Sequence, residues 1–376
     1  MDYPARRRQQ LAAFLPETEL DVFLVSNPFN VTYLTGFSGE SSYLLLGRER
    51  CLLVSDARFT EQIAAECPGL ETYIRPPAQN LYQATAEVLT KLGHRAVGFE
   101  SSHLTVAEWD MLRELAPAVQ WKAERDRVEQ LRAVKDASEI AEIREAISFA
   151  ERAFTVFRAL LRPEDNEKDL SDALEGFIRR VGGKCSSFPS IVAVGERAAL
   201  PHAPPTAKTV GEADLLLVDW GASGRFYKSD LTRILTLRKN SAFSRSLPRE
   251  WAETKLEDVY AVVLRAQEQA LRAVRPGTTG HDVDAVARSV ITEAGFGDYF
   301  GHGLGHGIGL QVHEAPAVRP NSQAVLQPGM VITIEPGIYL PGWGGVRIED
   351  DVLVTPDVYE VLTSVTKDLR SLTCDF

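Results

Sequence analysis

Residues 215–237 read LLLVDWGASGRFYKSDLTRILTL, two apolar runs on either side of a segment that holds Gly221 and Gly224. Apolar runs bounded by glycine read as strands joined in a hairpin. Facing residues of an antiparallel pair have position numbers with a constant sum. A turn centred between Gly224 and Arg225 therefore sets Asp219 opposite Asp230. Cross-strand neighbours hold their Cβ atoms ~4.5–5.5 Å apart, and like charges that close repel unless a cation lies between them. The pattern recurs downstream. The runs MVITIEPGIYL (330–340) and GGVRIEDDVLV (344–354) make Glu335 and Glu349 symmetric about Gly342. A single acidic pair would ordinarily be a solvated hairpin face. Here Glu335 and Glu349 directly follow the apolar runs VITI and VRI, which argues for a buried setting.

Between these two segments lies GHGLGHGIGLQVHEAP (301–316), where His302, His306 and His313 share the run with five glycines. Glycine lets backbone approach a ligand closely. A lone histidine is more often a satisfied polar residue than a ligand. Imidazole grouped with carboxylates is a donor set that suits Mn, Co, Zn or Fe. No cysteine belongs to the set, which disfavours a structural zinc site. Four ionised carboxylates carry about −4 at neutral pH, and buried charge has to be compensated. Two divalent cations would neutralise it. Asp219, Asp230, His306, Glu335 and Glu349 thus read together as the ligands of a two-metal hydrolase.

The motifs VDWGA, YKSDLTR, GHGLGHGIG, TIEPG and RIEDD, in that order, resemble those of the creatinase/prolidase/methionine aminopeptidase superfamily, the pita-bread metallopeptidases. The chain is most similar to the Xaa-Pro branch, prolidase and aminopeptidase P. The resemblance covers nearly the whole chain. NVTYLTGFSGESSYLLL, SDARFTEQ and VGFE resemble that branch's N-terminal domain, and RVEQLRAVKDASEIAEIREA the start of its catalytic domain. FPSIVAVGERAALPHAPPT resembles its substrate-side strand and loop. The fold implied is an α/β N-terminal domain over 1–128 and an α+β pita-bread catalytic domain over 129–376. The latter has pseudo-twofold αβ halves around a mostly antiparallel sheet.

By the same resemblance, Asp219 holds one metal, His306 and Glu335 hold the other, and Asp230 and Glu349 bridge them. A metal-bridging hydroxide attacks the carbonyl before a proline nitrogen, with Glu335 as proton shuttle. His313 is the candidate oxyanion donor, His202 and His302 line the substrate side, and Tyr339 and Arg347 shape the proline pocket or bind substrate. Each of these last five has a plainer reading. His202 sits in a proline-rich loop; loop backbone can satisfy His302 and His313; Tyr339 can pack in a core; Arg347 can neutralise Glu349 or Asp350. One departure bears on substrate length. After His313-Glu314-Ala315-Pro316, many prolidase-like members have an arginine that can engage a dipeptide's carboxylate. Here position 317 is Ala317, and the next arginine is Arg319. A non-catalytic, peptide- or protein-binding member of the superfamily is the alternative. It is disfavoured because all five ligand positions are intact, as is a metal-free, creatinase-like enzyme. The family also implies a homodimer.

Composition agrees. A chain of 376 residues with net charge −11 and pI near 5.3 has no basic stripe for nucleic acid and none for anionic membranes. Cys51, Cys67, Cys185 and Cys374 form no CxxC and read as reduced thiols of a cytoplasmic protein. The start lacks a convincing signal peptide, so the sequon Asn30-Val31-Thr32 is expected to be fortuitous. Strands are expected at 21–26, 43–47, 51–55 and 96–100, alternating with helices at 6–15, 59–66, 81–93 and 106–116. An amphipathic helix over about 129–160 carries Ile140, Ile143, Ala146, Ile147 and Ala150 at helical spacing, with Glu139, Glu142, Arg144 and Glu145 as its solvated face. Further helices are expected at 170–183, 258–274 and 281–295. Residues 238–258 read as an enlarged surface loop, an oligomer contact or a lid.

Overall fold

The computed structural model describes residues 2–238, 248 and 251–375. Most of the expected 238–258 loop lies outside the described residues. Within its described part, helix begins at Leu256. The chain divides into two compact units, Met1–Arg132 and Ala133–Phe376. No helix among the described residues is long and apolar enough to cross a membrane. None of the four cysteines forms a disulfide.

The first unit is a six-stranded mixed sheet. Its strands are β1 (Val22–Val25), β2 (Tyr43–Gly47), β3 (Cys51–Asp56), β4 (Glu71–Arg75), β5 (Ala96–Glu100) and β6 (Gln120–Glu124), in the order β4-β3-β2-β1-β5-β6. The pairs β1–β5, β3–β4 and β5–β6 are parallel. Leu24, Leu45, Val54 and Val97 centre its core, with Leu89 and Leu112 from the covering helices. Strands β4 and β6 were not expected from the sequence. Both are edge strands, ETYIR and QWKAE, with half-exposed, polar-rich patterns that protect an open edge. The helix Pro28–Thr35 was likewise unassigned. Asn27 caps it, Pro28 starts it, and Gly36 ends it at φ +78°. Asn30 is fully buried, donating to Glu100 and Glu129 and accepting from Arg132, so the sequon asparagine is committed to packing.

The second unit opens with the helix Ala137–Leu160, capped by Asp136. Ile143, Ala146, Ile147 and Ala150 are buried as expected, and Arg144 and Glu145 are exposed. Glu139 is a correction. It closes the capping box with Asp136 and accepts a hydrogen bond from the Tyr227 hydroxyl, so it is buried rather than solvated. Glu142 is half-buried.

The strands of this unit are β7 (Cys185–Ser186), β8 (Ile191–Val194), β9 (Leu215–Trp220), β10 (Ala222–Ser223), β11 (Leu231–Arg238), β12 (Gly305–Gly307), β13 (Glu314–Val318), β14 (Val331–Ile334), β15 (Gly337–Leu340), β16 (Gly344–Arg347), β17 (Asp350–Val354), β18 (Tyr359–Val361) and β19 (Thr373–Asp375). They form two main sheets, β19-β11-β9-β8 and β13-β12-β14-β17-β18, and two short ribbons, β10-β7 and β15-β16. Only β11–β19 is parallel. Two helix pairs, Ala137–Leu160 with Glu167–Arg180 and Leu256–Ala273 with Gly280–Glu293, complete the two αβ halves.

Alternation along β9 explains where the acids go. Leu216, Val218 and Trp220 face a core built with Phe154, Leu174 and Ile178 of the first helix pair. Leu215 and Leu217 face the other core, with Val263, Ala266 and Ile291 of the second pair. Asp219 continues this second face, since side chains two apart share a face. The expected register of the first hairpin is off by two. Asp219 pairs with Thr232 and Trp220 with Leu231, so Asp230 is a diagonal neighbour of Asp219. The cause is local. Ala222 and Ser223 leave the hairpin axis to pair with β7, and a Cβ on Gly221 would meet the Ser229 carbonyl oxygen at 1.8 Å. A two-residue shift keeps Asp230 on the same face; a one-residue slip would have expelled it. The second hairpin keeps the expected symmetry about Gly342, as Gly337↔Arg347 and Ile334↔Asp350 both show.

The two main sheets meet at an isolated bridge between Thr232 and Glu349. Arg233 secures it. This fully buried side chain donates to the carbonyls of Thr232 and Glu349 and to the Asp350 carboxylate, which also accepts from Lys367, Gln267 and Thr363. Removing one partner of a buried ion pair leaves the other uncompensated. Arg233→Met is therefore expected to cost about 3–5 kcal/mol of unfolding free energy, read as a fall in the urea midpoint. A midpoint equal to wild type would contradict this role.

Candidate metal centre and active site

A cleft of about 590 Å³ in the second unit is lined by Asp219, Asp230, His306, Glu335 and Glu349. His202, His302, His313 and Arg347 line it too, and Phe188, Pro189, Ile191, Pro201 and Pro204 give it apolar wall. Tyr339 lies behind the wall, buried. All five expected ligands thus reach one cleft.

One donor atom each from Asp230, His306 and Glu349 lie within 4.8 Å of one another. His306 Nε2 stands 3.3 Å from Glu335 Oε1 and 3.8 Å from Asp230 Oδ2. Its Nδ1 is 3.1 Å from the Gly307 carbonyl oxygen. An N–H there leaves the Nε2 lone pair facing the acids, the tautomer a metal needs. Thr333 orients the same corner, accepting from the His306 N–H and donating to Glu335.

The electrostatics call for a cation. Burial raises the Asp219 carboxyl, and Arg347 only partly opposes it. Burial, then neighbouring carboxylates, push Asp230 and Glu349 well above the usual carboxylate range. Burial also acts to raise Glu335, but the hydrogen bond and charge of His306 outweigh it and leave it lowered. Four acids face the single buried guanidinium of Arg347. Asp219 Oδ1 is buried without a hydrogen-bond partner. Carboxylate oxygens, one imidazole nitrogen and an orphaned buried oxygen fit divalent ions.

Arg347 acts on Glu349 through its charge, but its hydrogen bonds go elsewhere. Its Nη2 binds Asp219 Oδ2, its Nε donates to Thr232 Oγ1 at 3.0 Å, and its Nη1 to Tyr339 Oη at 2.8 Å. Thr232 Oγ1 in turn donates to Glu349 Oε2 at 2.6 Å. The Tyr339 hydroxyl lies 2.8 Å from His302 Nε2, and His302 Nδ1 lies 2.7 Å from the Gly303 carbonyl oxygen. Burial lowers the His302 pKa, so the ring is neutral. Only one polarity then satisfies every atom: Arg347 donates to Tyr339, Tyr339 to His302, and His302 to Gly303. Both His302 nitrogens are engaged. His313 and His202 are exposed on the cleft, and the His313 ring stands edge-on to His306 at 4.3 Å between centroids.

Buried acids fasten the loops that carry these groups. Glu167 accepts from Val194 N, Arg197 Nε, Thr206 N and Thr206 Oγ1, closing the loop around His202. Asp284 accepts from Leu304 N, and its partner Arg288 donates to the carbonyls of Phe300 and His302. Ala317 pairs with His306 across β12 and β13, and Arg319 lines the cleft and is exposed. Thr232, Thr333, Arg233 and Asp351 were missed from the sequence. The signal was available in LTRILTL, MVITI and IEDDVLV, where polar residues interrupt otherwise apolar strands.

Comparison with known proteins agrees with this geometry. Residues 141–356 match the model of metallopeptidase family M24, and residues 7–134 match the creatinase/prolidase N-terminal domain. A Xaa-Pro dipeptidase of Pyrococcus furiosus is 33% identical over 96% of this chain and 99% of its own. The solved structure of a Xaa-Pro dipeptidase from Bacillus anthracis superposes with a TM-score of 0.90 at 36% identity, covering 97% of this chain and 99% of that one. An X-Pro aminopeptidase from Thermotoga maritima gives 0.86 at 32% identity, covering 98% and 100%. With a family model spanning more than half its length and relatives aligned along nearly all of it, the chain belongs to metallopeptidase family M24 and is a peptidase with the pita-bread catalytic fold and a creatinase/prolidase N-terminal domain.

Proposed function

We propose that this protein hydrolyses the Xaa-Pro bond of dipeptides or the N-terminal Xaa-Pro bond of short peptides, using two divalent ions, with manganese first among the candidates. The observation that carries the reading is the convergence of Asp219, Asp230, His306, Glu335 and Glu349 in one cleft, four acids against one buried guanidinium. Asp219 would serve one ion and His306 and Glu335 the other, and Asp230 and Glu349 would complete the donor set of the pair. When bound, such ions polarise a carbonyl and lower the pKa of water toward neutrality. Relatives described as dipeptidase and as aminopeptidase support the Xaa-Pro bond as the target.

The chain's own groups then have distinct tasks. Glu335 takes a proton from the attacking water and passes it to the proline nitrogen, which needs one to leave. His313 and His202, exposed on the cleft, are the donors for the carbonyl oxygen as it gains charge. His302 is a positioning residue, because both its nitrogens are committed. Arg347 fixes Asp219 and, through Thr232, Glu349. The Xaa-Pro amide has no N–H to recognise, and the apolar wall of Phe188, Pro189 and Ile191 suits a pyrrolidine ring. The domain boundary at 128/129, a homodimer and a cytoplasmic setting belong to the same proposal.

Chelator-stripped protein is expected to lose hydrolysis of Ala-Pro and Ala-Pro-Ala and to regain it with Mn²⁺. Faster cleavage of the dipeptide assigns a dipeptidase, and of the tripeptide an aminopeptidase. Failure to cleave either with Mn²⁺ bound would overturn the proposal in favour of peptide binding. Asp230→Ala is expected to abolish turnover while the melting temperature stays near that of stripped wild type; near-normal turnover would remove the two-metal assignment. Tyr339→Phe breaks the chain from Arg347 to His302. A fall in kcat of about tenfold is expected from losing one fixed hydrogen bond in a dry site, and an unchanged kcat would contradict the relay.

A further inference from the structure

Asp351 lies outside the five-residue donor set, yet it is fully buried beside it. It faces Thr333 across β14 and β17, the threonine that touches both His306 and Glu335. It stands two positions beyond Glu349, and residues two apart on a strand share a face. Its Oδ2 accepts the backbone N–H of Asp230 at 3.1 Å, and its Oδ1 is buried without a hydrogen-bond partner.

The Asp230 N–H needs such an acceptor. Asp230 precedes β11, and the ladder between β9 and β11 ends at the pair Leu231↔Trp220. The acceptor therefore comes from the other main sheet. A hydrogen bond at the peptide fixes the direction in which the Asp230 carboxylate leaves the backbone, toward His306 Nε2 at 3.8 Å. Burying a further carboxylate among acids is costly, and packing alone would be served by an apolar residue of the same size.

We infer that Asp351 is a positioning residue of the metal centre: it orients the Asp230 peptide, and through it the Asp230 carboxylate, for the ion shared with His306 and Glu349. The inference rests on the two-metal reading given above. Partners that orient a ligand typically contribute 10–100-fold to metal affinity.

The test uses chelator-stripped, full-length wild type, Asp351→Val and Asp351→Asn. Each is titrated with Mn²⁺ alone by calorimetry, melted without metal, and assayed on Ala-Pro at saturating Mn²⁺. Asp351→Val is expected to weaken one of the two Mn²⁺ steps by about 10–100-fold and to lower kcat with little change in KM. Asp351→Asn keeps an acceptor oxygen and is expected to restore both toward wild type. A purely structural role would lower the melting temperature and leave Mn²⁺ affinity and kcat unchanged. Wild-type Mn²⁺ affinity in Asp351→Val, or an Asn variant as impaired as Val, would overturn the inference. Should the Val variant fail to fold, Asp351→Ala is read by the same two criteria. Wild-type protein that binds no Mn²⁺ would instead overturn the two-metal reading, and this inference with it.

Discussion

The repulsion among four carboxylates brought into one buried cleft is the constraint on which this structure depends. Asp219, Asp230, Glu335 and Glu349 come from two hairpins, and among the described residues the buried Arg347 guanidinium is ion-paired with one of these carboxylates, that of Asp219. Without further positive charge, burial drives Asp230 and Glu349 toward their protonated forms. A folded chain holds such a cluster only if the backbone beneath it is over-determined. The two sheets supply this: Asp219 continues a strand face whose earlier members, Leu215 and Leu217, are locked in an apolar core, and Ile334 and Ile348, the neighbours of Glu335 and Glu349 in the chain, are buried in the same core.

The same demand explains the buried polar residues around the cleft. Arg233 ties Thr232 to Glu349 where the sheets meet. Glu167 closes the His202 loop, and Asp284 with Arg288 holds the His302 segment. Each is a charged group that binds backbone atoms as well as side chains. Such groups fix geometry more than they add net stability, because burying charge offsets much of the attraction. The chain Arg347–Tyr339–His302–Gly303 extends this ordering to the cleft wall and engages both His302 nitrogens.

Much of this was legible in the sequence, and the failures have physical causes. The second hairpin was read in register because its turn is short and symmetric about Gly342, whose φ of +75° suits glycine. The first was misread by two residues because Ala222 and Ser223 pair with β7, a long-range contact that no local pattern announces. The acids nonetheless stayed on the right face, since alternation survives an even shift. Edge strands β4 and β6 escaped notice for the opposite reason: their polar pattern answers to solvent and not to a core. Glu139 looked like a helix surface residue, and only the fold shows Tyr227 against it. The Arg347 partner was beyond sequence reasoning, because Asp219 lies on the other hairpin.

The most direct measurement is a crystal of the stripped protein soaked with Mn²⁺ and recorded at the manganese absorption edge. The account predicts two anomalous peaks in the second unit's cleft, one against Asp219, one against His306 and Glu335, with Asp230 and Glu349 reaching both. A single peak, or none among these five side chains, would contradict it.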